Sequence, residues 1–83
     1  MQITVIGAGY VGLVSAVCFA CSGHQVICLE QDAERCIMLT EGQCPIFEKD
    51  LPEMLGCALE KGKIKFTAQA QEAISSADII FIA

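Results

Sequence analysis

The sequence is poor in positive charge. Five Lys and Arg residues stand against ten Asp and Glu, for a formal net charge of −5, and no two of the five are adjacent in sequence. A nucleic-acid partner needs a clustered basic face, and an anionic membrane surface needs a polybasic segment, so the sequence argues against both. Long apolar runs are missing as well. Stretches such as Ile79 to Ala83 fall far short of the roughly 20 residues that a membrane span needs. The N-terminus has no basic start and glycines interrupt its apolar residues, so no secretory leader is expected and a cytoplasmic chain is the default. There is one histidine, His24, which falls between a helix and a strand and reads as a solvated turn residue. That leaves no nucleophile–histidine–acid set. Repeats, low-complexity tracts and linkers are absent too.

Cysteine is the exception to this scarcity, with six: Cys18, Cys21, Cys28, Cys36, Cys44 and Cys57. Cys18 and Cys21 form a C-x-x-C, but it lies inside an apolar helical pattern and no second C-x-x-C follows. Neither a metal site nor a disulfide framework is expected in a cytosolic chain of this kind. The thiols are expected to be buried and to pack as small hydrophobes. With 54% apolar and 18% charged residues, the composition is that of a folded acidic domain. At 83 residues it is one small domain or a piece of a larger one, burying only about 60–65% of its unfolded surface.

Apolar periodicity divides the chain into strands and helices. Residues 2–6 and 25–30 are β-branched, apolar and short, as buried parallel strands are. Between them residues 10–22 show a wide apolar face (Val11, Val14, Ala16, Val17, Phe19, Ala20) that Gly23 terminates. Asp32 is placed to cap a helix over 33–41. Asp50, Pro52 and Glu53 have the spacing of a capping box for a helix over 51–61. Residues 64–66 make a third strand, 69–76 a short helix and 78–83 a fourth strand. Met38, Leu39, Met54 and Leu55 are expected in the core. Strands alternating with helices predict an α/β fold of the Rossmann type, a doubly wound parallel sheet in the order 3-2-1-4 with helices on both faces. An apolar strand as the last element suggests the N-terminal fragment of a longer protein, with residues 1–83 as a single partial domain.

One motif carries chemistry. Gly7-Ala8-Gly9-Tyr10-Val11-Gly12 is G-x-G-x-x-G, it follows a strand and opens a helix, and the next strand ends in an acid at Glu30. That context marks a dinucleotide site. Gly7 permits the turn, Gly9 lets a pyrophosphate approach the backbone, and Gly12 lets the helix pack on the sheet. The N–H groups of Tyr10, Val11 and Gly12 lie at the positive end of the helix dipole and suit a diphosphate. Glu30 suits the ribose hydroxyls and would repel the 2′-phosphate of NADP, so NAD is the expected cofactor. Arg35 is a candidate for a phosphate or for the adenine. The same residues leave two other readings open: a non-catalytic module that senses NAD(H) or an adenine nucleotide, and an FAD-binding oxidoreductase.

These residues together resemble the N-terminus of the UDP-glucose/GDP-mannose dehydrogenase family. The resemblance runs through Met1 to Val14, Gly23-His24-Gln25-Val26, Glu30-Gln31-Asp32 with Arg35, Pro45-Ile46-Phe47-Glu48, and Ala77 to Ala83. It implies an enzyme that oxidises the 6-hydroxymethyl of a nucleotide sugar, UDP-glucose foremost, to a carboxylate. Such an enzyme uses two NAD per turnover and a covalent cysteine route. It further implies a homo-oligomer whose products feed polysaccharide synthesis, with Gly7, Gly9, Tyr10, Val11, Gly12, Glu30 and Arg35 at the cofactor. The family usually has Asp at Glu30, Lys at Arg35 and Pro-Gly at Lys49-Asp50, so a different backbone turn is expected at residue 50 and Glu48 is not carried over. The family's catalytic residues fall beyond this length, so no catalytic residue and no metal ligand is assigned, and the 83 residues alone are expected to be inactive.

Overall fold

Strand β1, Gln2–Ile6, lies at the interior of a four-stranded sheet in the order β3-β2-β1-β4. The computed structural model describes all 83 residues. Helix α1 spans Tyr10–Cys21, β2 Gln25–Leu29, α2 Ala33–Thr40 and α3 Leu51–Glu60. Strand β3, Ile64–Thr67, helix α4, Ala70–Ile74, and β4, Ile79–Ile82, complete the chain. Every strand pair is parallel, with Ile3 opposite Val26 and Ile79, and Val26 opposite Ile64. The order and the parallel sense agree with the sequence reading; element ends differ from it by a few residues at most, which is the usual fraying of helix and strand ends.

Side chains alternate across the sheet, and the two faces differ. Ile3, Val5, Val26, Cys28, Ile64 and Phe66 belong to the main apolar cluster, with Leu13, Ala16 and Val17 of α1 and Leu55 and Ala58 of α3. Phe81 joins the same face through an edge-to-face contact with Phe19, centroids 5.7 Å apart. The opposite face carries Thr4, Ile27, Lys65, Thr67 and Ile80 and meets α4. There the Thr4 hydroxyl donates to the Ala73 carbonyl, and the Lys65 ammonium pairs with Glu72 at 3.3 Å. A five-residue helix covers little, so Ile80 and Ile82 remain exposed.

The Asp32 carboxylate caps α2 by accepting from the N–H groups of Glu34 and Arg35 at 3.0 and 3.3 Å. The capping box read at Asp50 does not form. Asp50 adopts a left-handed backbone, φ 69°, and its side chain makes no cap bond. The left-handed conformation is one a glycine takes freely. The turn before α3 therefore keeps a glycine-type geometry at residue 50 although the chain has Asp there.

Burial also corrects three expectations. Leu39 and Leu55 are buried and Met54 packs against the core, but Met38 is exposed, because residue 39 rather than 38 faces the sheet. Val11, assigned to the apolar face of α1, is 59% exposed: in the first turn Gly12 and Leu13 are the residues turned inward, and Val11 faces away from them. Of the six cysteines only Cys28 is fully buried; Cys36 and Cys44 are half-buried and Cys18, Cys21 and Cys57 are exposed. Apolar periodicity does not tell cysteine inside from cysteine outside, since the residue is small enough for either. No helix is long and apolar enough to cross a membrane.

Candidate functional site: the glycine loop and the ends of β1 and β2

The carboxyl ends of β1 and β2 open onto a cleft of about 210 Å³ lined by Ile6, Gly7, Leu29, Glu30 and Gln31. The three glycines at its edge are held for separable reasons. Gly7 has φ +99°, a conformation that side chains disfavour, and it turns the chain out of β1. Gly12 lies against that turn. A Cβ at Gly12 would stand 1.7 Å from the Gly7 carbonyl oxygen, so α1 can reach the strand end only without a side chain there.

Gly9 differs from both. Its φ is −71°, open to any residue, and a Cβ built on it meets nothing within 4 Å. Nothing inside the protein requires glycine at this position. The space it leaves lies at the start of α1, where no side chain caps the first N–H groups and no acid occupies the first turn. The start of α2, by contrast, is capped by Asp32. An uncapped helix end beside a vacant Cβ position has room for an anion, and the N–H groups of Tyr10, Val11 and Gly12 are the donors a helix leaves unpaired there.

Glu30 stands at the cleft just beyond β2, with its side chain 14% exposed. Its Oε2 accepts from the Asp32 N–H at 3.0 Å, and its Oε1 lies 3.4 Å from Arg35 Nε. A carboxylate offers about four lone-pair sites. Two contacts therefore orient Glu30 and leave capacity for a ribose diol. Arg35, read as a candidate for phosphate or adenine, is turned onto the loop itself. Its Nε and Nη2 donate to the Ala8 carbonyl at 3.2 and 2.6 Å. The guanidinium thereby joins α2, the acid and the glycine loop in one contact set, a role for Ala8 that no local pattern announced because the partners are 27 positions apart.

Tyr10 brings a second long-range contact. Its phenol donates to Glu48 Oε2 at 2.8 Å, and that bond together with the Glu48 charge pushes the phenol above its usual range. Glu48, set aside on the sequence, thus ties the loop between α2 and α3 to the start of α1. Its neighbour Phe47 is fully exposed. His24 lies in the α1–β2 turn at the other end of the sheet, where its N–H donates to the Phe19 carbonyl. No three His, Cys, Asp or Glu side chains converge in a way that would hold a metal ion. Cys28, two residues before Glu30, is wholly buried, and burial pushes its thiol up to about 12.

Comparison with known proteins places this geometry. The chain is 46% identical over 83 residues to a UDP-glucose 6-dehydrogenase of Rhizobium meliloti, covering 100% of this chain and 19% of that protein. It is 42% identical over 83 residues to the UDP-glucose 6-dehydrogenase YwqF of Bacillus subtilis, again 100% of this chain and 19% of the relative. Among solved structures, a ternary complex of GDP-mannose dehydrogenase from Pseudomonas aeruginosa superposes with TM-score 0.96 at 31% identity, over 100% of this chain and 19% of that one. A UDP-glucose dehydrogenase from Pyrobaculum islandicum superposes with TM-score 0.93 at 40% identity, over 99% and 19%. The chain thus spans about a fifth of the length of these relatives. The family model for the NAD binding domain matches residues 1–83. The chain belongs to the UDP-glucose/GDP-mannose dehydrogenase family, matched through that family's NAD binding domain.

Proposed function

We propose that residues 1–83 are the first, cofactor-binding part of a nucleotide-sugar dehydrogenase that oxidises the C6 hydroxymethyl of a UDP-sugar, UDP-glucose foremost, to a carboxylate. The observation that carries the reading is Gly9: a glycine that the protein's own packing does not need, at an uncapped helix start beside Glu30. The diphosphate of NAD fits that cradle, and Glu30 meets the adenosine ribose hydroxyls while opposing a 2′-phosphate by like charge. NAD supplies a hydride acceptor when bound; the residues here bind and orient it. UDP-glucose as the substrate is supported by the names of the relatives, whose sequences extend well beyond the stretch matched here.

The chemistry itself is assigned to residues outside this stretch. In support, the thiol beside the cleft, Cys28, is buried and held protonated, and the exposed thiols lie on α1 and α3 away from Glu30. The purified chain with NAD and UDP-glucose is expected to form no NADH. NADH formation would show that the chemistry is carried here after all.

Binding is tested by calorimetric titration with NAD and with NADP. The expectation is NAD binding at about millimolar strength, NADP weaker, and loss of that preference in Glu30→Ala. A folded chain that binds neither nucleotide, or that prefers NADP, overturns the assignment of the cradle.

A further inference from the structure

At the end of the sheet opposite the glycine loop, α1 and α3 meet across small side chains. Ala20 and Ala58 are each 3% exposed, and both line a pocket of about 280 Å³. Methyl side chains at a seam bring helix axes toward the short end of the usual 8–10 Å separation. The neighbour of each seam alanine is a cysteine. Cys21 is the last residue of α1, and Cys57 directly precedes Ala58 in α3. Both thiols are exposed, and both line the same pocket with Lys61 and Lys63. The other four thiols do not line it. Cys18 lies one turn earlier on α1, and Cys28, Cys36 and Cys44 are wholly or half buried elsewhere.

We propose that Cys21 and Cys57 are a thiol pair that forms a reversible disulfide, stapling α1 to α3, when the chain meets an anionic small-molecule disulfide. The Cys21 thiolate attacks one sulfur of the reagent, forming a mixed disulfide and expelling one thiolate. The Cys57 thiolate then attacks the Cys21 sulfur and expels the second. Two protein thiols lose two electrons and two protons, and the reagent becomes two thiols. Lys61 and Lys63 provide the positive charge that draws an anionic reagent to the pocket. Burial, then the neighbouring Cys57 and Cys18, hold the Cys21 thiol above its ordinary range, with Lys61 opposing them. The thiolate is therefore scarce at neutral pH, and the reaction accelerates as the pH rises.

The test treats the purified chain with oxidised glutathione at about pH 8.5, then counts thiols, maps peptides and records thermal melting. Two of the six thiols are expected to disappear with a mass loss of about 2 Da, in a peptide joining Cys21 to Cys57. Melting is expected to rise by roughly 10 °C and to return on reduction. Cys18→Ser is expected to behave like the parent chain, and Cys57→Ser to stop at the mixed disulfide on Cys21. Six intact thiols, a bridge from Cys18 to Cys21, disulfides between chains alone, or an intrachain bridge in Cys57→Ser would each overturn the proposal. Circular dichroism of the reduced variants separates these results from a failure to fold.

Discussion

Gly9 and Gly12 stand three positions apart and answer to different demands, which makes them a matched pair of probes. Gly12→Ala forces a methyl into the Gly7 carbonyl, so α1 must lift from the strand end. A loss of about 3 kcal/mol in urea unfolding is expected. Gly9→Ala meets nothing and has an ordinary φ, so stability should stay within about 0.5 kcal/mol while NAD affinity falls by roughly tenfold or more. A Gly9→Ala chain that binds NAD normally would remove the cradle from the argument. At Arg35 the expectation is a loosened loop. Arg35→Ala removes both bonds to the Ala8 carbonyl and the contact with Glu30, at about 1–2 kcal/mol, and should speed amide exchange across Gly7 to Gly12. Arg35→Lys restores charge but not the forked geometry, and should recover part of that protection. The gathering of the glycines and Glu30 at one cleft was legible in the sequence because it follows from their spacing along a strand-helix-strand unit. The work of Arg35 and of Glu48 was not, since each depends on a partner brought close only by the crossover between strands.

Helix starts show the same limit one scale up. Asp32 and Asp50 both precede helices, and the second also has the proline and glutamate of a good cap. Only Asp32 accepts from the backbone, since Asp50 is held left-handed by the turn leading into α3. Asp32→Ala is expected to cost about 1 kcal/mol. Asp50→Gly is expected to stabilise by roughly 0.5 kcal/mol, relieving the left-handed residue with no cap to lose. Both are read from chemical unfolding midpoints. Where α4 meets β3, the Thr67 hydroxyl and Lys65 lower the Glu72 carboxyl below its usual 4.5. A depressed carboxyl adds stability that is whole above that value and fades as the pH falls through the lowered one. Glu72→Gln should therefore flatten the acid limb of the stability profile slightly, the group being solvent-exposed.

Strand order and parallel sense could be read ahead of the structure because short apolar strands joined by helices leave few right-handed arrangements. The unequal dress of the two sheet faces could not, since it depends on how little a five-residue helix can cover. The face with Ile80 and Ile82, continued at the open edge of β4, leaves apolar side chains unshielded beside an unpaired strand edge. Concentration-dependent association is expected in sedimentation of the purified chain, and Ile82→Lys should reduce it without lowering the melting temperature. Association unchanged by Ile82→Lys would place the contact elsewhere.

The central position of β1 also sets a timetable for synthesis. β1 has one neighbour in β2, but its other neighbour, pairing Ile3 with Ile79, is made only after β2 and β3. At roughly 5–20 residues per second, the ribosome leaves β1 without its β4 neighbour for about 4–15 s. During that interval an apolar strand edge stays unpaired, and factors that shield nascent chains are expected to engage it.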